Sequence, residues 1–108
     1  MQKRELRLKI FKSLADKSRL HILDILKHGE EICSCDIQTQ IKKSQSTTYS
    51  HLKILTDADI LVARKDETKM MYKVKDFQIY KILANIDRLI KNNNKFKEIV
   101  KIQDQILA

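Results

Sequence analysis

The 108-residue chain contains no proline, no tryptophan and one glycine, Gly29. Sandwiches and barrels need frequent turn residues, so this scarcity argues against an all-β fold and for helices. Long apolar runs are missing too. The longest, Ile60-Leu61-Val62-Ala63, falls far short of the roughly 20 residues a membrane-spanning helix needs, which predicts a soluble chain with no membrane partner. The start is basic and interleaved with polar residues, and no apolar stretch with a small-residue cleavage site follows it; no secretory signal and a cytoplasmic location are the expectations. Cysteine is scarce: Cys33 and Cys35 stand two apart, close only a tiny loop, and read as thiols in a reducing compartment. The chain has no Gly-rich phosphate loop, no Ser/His/Asp arrangement and no C-x-x-C, and these absences argue against an enzyme.

What is abundant is positive charge. Lys and Arg number 22 against 14 Asp and Glu, a net charge of +8, the usual sign of a polyanionic partner. The bias is local as well as global, because no acidic residue occurs from Ile37 to Thr56. At this length one domain spanning 1–108 is expected, and 43% hydrophobic residues is enough to build its core.

Apolar spacing sets the element order. Leu6, Ile10, Phe11 and Leu14 recur at helical intervals between Gln2 and Leu14, and Leu20, Ile22, Leu23, Ile25 and Leu26 mark a second helix from about Lys17 to His28, capped by Asp16 and ended by Gly29. Glu30 to Ser34 looks extended. Ile37 and Ile41 mark a short third helix starting at Cys35 or Asp36 and ending near Lys42-Lys43. Ser44 is the expected N-cap of a fourth, with Leu52 and Leu55 as its inward pair. The period then shortens to about 2, which predicts strands over Ile60–Lys65 and Lys69–Lys73 joined at Asp66-Glu67-Thr68. From Asp76 the helical period returns, with a bend or break at Asn92-Asn93-Asn94. The expected fold is mainly α with a small β-hairpin wing, α+β: a winged helix-turn-helix in the order α-α-α-α-β-β-α with a C-terminal extension.

Three blocks carry a family resemblance: Phe11-Lys-Ser-Leu-Ala-Asp-Lys-Ser-Arg-Leu-His-Ile-Leu23, Ser44-Gln-Ser-Thr-Thr-Tyr-Ser-His-Leu-Lys-Ile-Leu55, and Ile60-Leu-Val-Ala-Arg64 leading to Met71-Tyr-Lys-Val74. In this order the chain resembles the ArsR/SmtB-type winged-helix repressors over about residues 6 to 75. The resemblance implies a homodimeric repressor that binds double-stranded operator DNA and is released by a metal or metalloid ion. The chain departs from the family pattern at Lys17, where proline is usual, at Asp66-Glu67 in place of a wing-tip glycine, and at Tyr49-Ser50 in place of Ser-Arg.

A recognition helix needs short polar side chains that reach base edges and phosphates. The expected DNA-binding set is Lys43, Ser44, Gln45, Ser46, Thr47, Thr48, Ser50, His51 and Lys53 on the fourth helix and its approach, with Arg64, Lys65 and Lys69 on the wing. Glu31-Ile-Cys-Ser-Cys-Asp-Ile37 resembles the cysteine signature of the family's soft-ion sensors, which implies Cys33 and Cys35 as metal ligands. Thiolates suit arsenite, antimonite, cadmium or lead as effector, and no required cofactor is expected. The third thiolate of the fuller site is absent, since its position holds Gln38; a further ligand is to be sought in the other subunit, in His21 or His28, or in water. From Asp76 to Lys91 the only Asp or His residues are Asp76 and Asp87, too few for the family's C-terminal metal site. Two other readings of the cysteines stand beside ion sensing: a thiol redox switch, and plain core residues with no effector.

Residues 1–14 and 76–108 are expected to contribute to dimerisation. Leu6, Ile10 and Phe11, with Ile79, Ile82, Leu83, Ile86 and Ile90, offer more apolar surface than so small a monomer can cover. The rival to a DNA-binding regulator is a winged-helix protein-interaction module that never touches DNA.

Overall fold

The computed structural model describes residues 1–107 and divides them into two compact units, Met1–Asp76 and the helices that follow from Phe77. In the first unit α1 (Lys3–Leu14), α2 (Lys17–Ile25), β1 (Ile32–Cys33), α3 (Ser34–Ile41), α4 (Gln45–Asp57), β2 (Leu61–Asp66) and β3 (Lys69–Val74) follow in chain order. The second unit holds α5 (Gln78–Asn92) and α6 (Asn94–Leu107). No described helix is long and apolar enough to cross a membrane.

The core of the first unit is aliphatic. Ile22, Leu23 and Leu26 around α2, Ile37 of α3, Leu52 and Leu55 of α4 and Leu61 of β2 are fully buried, which confirms Leu52 and Leu55 as the inward pair. Burying one such side chain contributes about 1.5–3 kcal/mol, so α4 is fixed by its inner face and leaves the outer one free for other work. Its start is fixed by Ser44, whose Oγ accepts the Thr47 N–H at 3.1 Å. Asp16 does the same for α2, accepting the Arg19 N–H at 3.1 Å.

Arg19 ties three helices together. Its Nε donates to the Ser13 carbonyl at 2.7 Å and its Nη2 to the Lys12 carbonyl at 3.3 Å, occupying the unpaired C-terminal carbonyls of α1. Its Nη1 donates to His51 Nδ1 at 3.0 Å, reaching α4. The Arg19 backbone N–H is also the chief cause that lowers the Asp16 carboxyl from its ordinary value, with the Arg19 charge adding to it.

The segment read as merely extended is part of the sheet. The strand order is β1-β3-β2, with Ile32 opposite Tyr72 and Cys33 opposite Met71 on one side of β3, and Ala63 opposite Tyr72 and Arg64 opposite Met71 on the other. Cys33, Met71 and Arg64 therefore lie in one row across three strands. The wing is a hairpin splinted by the cysteine segment.

With glycine so scarce, other residues take the left-handed conformation at tight turns. Lys42 (φ 57°) closes α3, Asp59 (φ 62°) follows α4 and Glu67 (φ 57°) sits at the wing tip; Gly29 (φ 82°) is left-handed as expected, but α2 ends earlier than His28, at Ile25 with Leu26 as its C-cap, so Gly29 closes the following turn rather than the helix. The break between α5 and α6 falls at Asn93, whose Oδ1 accepts the N–H groups of Lys95 and Phe96. The asparagine run thus ends one helix and caps the next.

Candidate nucleic-acid interface

The outer face of α4 presents Gln45, Ser46, Thr47, Ser50 and Lys53 to solvent, with Lys43 and Ser44 exposed just before it. The first carboxylate after this stretch, Asp57, is held by Lys53 at 3.3 Å, one helical turn away. Ser44 is engaged in capping, and Ser50 Oγ donates back to the Ser46 carbonyl at 3.0 Å. Ser44 Oγ also lies 3.3 Å from Ser46 Oγ and donates to Thr47 Oγ1 at 3.0 Å, and Gln45 is exposed beside them. Lys65 and Lys69 are exposed on β2 and β3, one before and one after the hairpin turn.

Three of the expected DNA residues are placed otherwise. Thr48 is 2% exposed, because at one turn before Leu52 it shares the inward face, and its Oγ1 is a buried side-chain oxygen without a hydrogen-bond partner. His51 is half-buried; its Nδ1 accepts from Arg19 and lies 3.7 Å from Asp16 Oδ2, which makes it a brace between α2 and α4. Arg64 forks across β3 onto Glu31, with Nε 2.7 Å and Nη2 2.8 Å from the two carboxylate oxygens. Glu31 falls below its ordinary value for this reason first, and Arg64 rises above its own.

Tyr49, which the sequence reading left out of the set, is 60% exposed on α4. It shares a cavity of about 300 Å³ with Gln45, Lys69, Tyr72 and Cys35, which opens between α4, the start of α3 and the wing. Burial raises the Tyr72 phenol from its ordinary value, and Tyr49 adds to the effect.

The two cysteines are joined in a disulfide, contrary to the expectation of free thiols. Position makes them unequal. Cys33 is buried and caps α3, its Sγ accepting the Asp36 N–H at 3.3 Å, whereas Cys35 is exposed on the first helical turn. Both sulfurs and a carboxylate oxygen of Asp36 lie within 4.8 Å of one another, so residues suited to a soft or borderline cation are clustered here. Sequence reasoning looked for a third sulfur at position 38 and passed over Asp36; the signal available was its i,i+3 spacing from Cys33 across the start of a helix.

In the terminal helices Leu6, Ile10, Phe11, Ile82 and Ile86 are exposed as expected, and Leu83 and Ile90 are half-buried. Ile79 is buried and drops out of the exposed set, because it already packs as a core residue.

A recognition helix backed by an aliphatic core and followed by a splinted hairpin defines a winged helix-turn-helix protein. Residues 16–62 match the family described as "Bacterial regulatory protein, arsR family", and the chain belongs to that family of DNA-binding transcription regulators, which are not enzymes. It is 36% identical over 86 residues to the arsenical resistance operon repressor of Staphylococcus aureus, covering 80% of this chain and 82% of that one. It is 38% identical over 89 residues to the uncharacterized HTH-type transcriptional regulator MJ1325 of Methanocaldococcus jannaschii, covering 82% of this chain and all of that one. Among solved structures, the homodimeric winged helix-turn-helix DNA-binding domain Mb0332 of Mycobacterium bovis superimposes with a TM-score of 0.72 at 22% identity, over 87% of this chain and 91% of that one.

Proposed function

We propose that the chain is a cytoplasmic, homodimeric repressor that grips duplex operator DNA with α4 and the wing and lets go when a soft ion binds the reduced sulfurs of Cys33 and Cys35. The observation that carries the DNA half is the exposed face of α4. It offers Gln45, Ser46 and Thr47 to base edges beside Lys43 and Lys53, with no carboxylate between Ile37 and Thr56 to repel phosphate. Lys65 and Lys69 extend the positive surface to the wing. In a dimer two such helices would lie about 34 Å apart, one helical turn of DNA.

The ion half rests on the donor set. Once the disulfide is opened, Cys33, Cys35 and Asp36 supply two thiolates and a carboxylate in one cluster, and arsenite, antimonite, cadmium or lead would gain two strong sulfur bonds there. Cys33 belongs both to the cap of α3 and to the sheet row of Met71, so a shift of its sulfur bears on the helix-turn-helix and on the wing together.

The test is a titration of the reduced chain with operator-containing and random duplex across salt, with and without arsenite or cadmium. Affinity should fall on the order of 10³-fold between about 50 and 200 mM salt. The ion should weaken binding by a coupling of about 1–3 kcal/mol. Flat salt dependence would instead favour a protein-interaction module. A second reading, in which oxidation is the signal, is favoured by the disulfide itself; release of DNA by oxidant but not by ions would establish it.

A further inference from the structure

We propose that Cys35 is a thiol-exchange site for low-molecular-weight thiols of cysteine size, and that the resulting adduct fills the cleft between α4 and the wing. The exchange chemistry stands by itself; its effect on DNA rests on the DNA-binding reading above.

Three observations converge on Cys35 rather than Cys33. Cys35 is exposed while Cys33 is buried, so an incoming nucleophile reaches Cys35 more readily. Cys35 also lines the cavity shared by Gln45, Tyr49 and Lys69, which gives an adduct room and places a cation near the carboxylate of a bound amino acid. Finally, Cys33 Sγ accepts the Asp36 N–H at the start of α3, a bond that strengthens as charge gathers on that sulfur. The pair is built with an entry sulfur and a leaving sulfur.

The step balances without an outside oxidant. A small thiolate attacks Sγ of Cys35, a new S–S bond forms, the Cys33–Cys35 bond breaks, and its electron pair departs on Cys33, which takes a proton from water. From the dithiol state the same adduct forms when the Cys35 thiolate attacks the oxidised small thiol, whose other half leaves as thiolate. In either case the added group stands among Tyr49, Gln45 and Lys69. A DNA backbone approaching α4 and the wing together would meet it there.

Full-length Cys33→Ser and Cys35→Ser chains, reduced and then exposed to cystine, separate the possibilities. Serine is itself a good N-cap, so the first variant keeps the start of α3. Intact mass should show one cysteinyl group added to Cys33→Ser at least about tenfold faster than to Cys35→Ser, because access governs exchange. Saturating duplex should slow that addition. The adduct should bind duplex at least about tenfold more weakly than the same variant unmodified, with recovery on reduction. In the wild-type disulfide treated with cysteine and quenched in acid, the trapped group should map to Cys35, which checks the site without any substitution. Equal rates in the two variants, or trapping on Cys33, overturns the exchange site. An adduct that leaves duplex binding intact overturns the blocking of the cleft. If unmodified Cys33→Ser and wild type both fail to bind duplex, the DNA-binding reading falls, while the mass data still decide the exchange.

Discussion

Arg64 reaches across the central strand of the wing to hold Glu31, joining the outer strand β2 to the residues that lead into Cys33. A side chain expected on the DNA-binding surface of the wing also ties the wing to the cysteine segment. Because Arg64, Met71 and Cys33 share one row of the sheet, the ion pair lies over the same face as the buried sulfur.

The pair has a defined acid dependence. Arg64 holds Glu31 below its ordinary value of 4.5, so any contribution of the pair to stability is fully present above that pH and is lost as pH falls through the lowered folded value. In Arg64→Met, Glu31 should titrate close to its ordinary value, and the stability difference from wild type should shrink on acidification. Carboxyl-detected NMR titration with parallel acid melts would check both. An unchanged Glu31 titration in the variant would remove the pairing from solution.

On the recognition helix, Thr48 and Gln45 should behave oppositely. An unpaired buried hydroxyl costs about 1–3 kcal/mol, so Thr48→Val should hold or raise the unfolding midpoint and leave operator discrimination unchanged. Gln45→Ala should cost about 1–3 kcal/mol of discrimination between operator and random duplex with the melt unaltered. Competition binding and calorimetry on the two variants distinguish the roles; loss of discrimination in Thr48→Val would reverse them.

On the wing, Lys65→Ala and Lys69→Ala should each weaken operator and random duplex about equally and reduce the slope of log affinity against log salt by about 1. Arg64→Ala should change that slope less, since its guanidinium is already engaged by Glu31. An Arg64 effect as large as that of the lysines would mean the fork opens when DNA binds.

The helix order, the capping by Asp16 and Ser44, the inward pair Leu52 and Leu55 and the hairpin were legible because each leaves a local mark: an oxygen before an apolar period, or a change of period. Polarity reads as exposure in a sequence, yet Thr48 sits one turn before Leu52 and is turned inward with it, and His51 is half-buried against Arg19, 32 residues away. Arg64 is exposed as its polarity suggests, and what the sequence hides is its partner Glu31, 33 residues away. Pairing over such distances leaves no spacing signal in a single chain. The third strand was hidden for a similar reason, since β1 comprises only Ile32 and Cys33, too few residues to show a period.

Dimerisation should be visible as about twice the chain mass in sedimentation at micromolar concentration. Phe11→Glu and Ile82→Glu replace exposed apolar residues, so neither should disturb the core of its own helix, and each should shift the chain toward monomer. Duplex affinity should fall with them, because two half-sites are then no longer held together. Wild-type chain that sediments as a folded monomer would sink this expectation.

Lys42 and Glu67 occupy backbone conformations that glycine adopts freely and that cost other residues about 1 kcal/mol or more. Glycine at both positions would relieve the folded state while loosening the unfolded one, and since one residue is basic and the other acidic the double change leaves the net charge where it was. Where the relief outweighs that loosening, the protein carries a reserve of thermal tolerance at two turns, one inside its helix-turn-helix and one at its wing tip. Directed evolution could draw on that reserve to offset destabilising changes made elsewhere to alter operator choice.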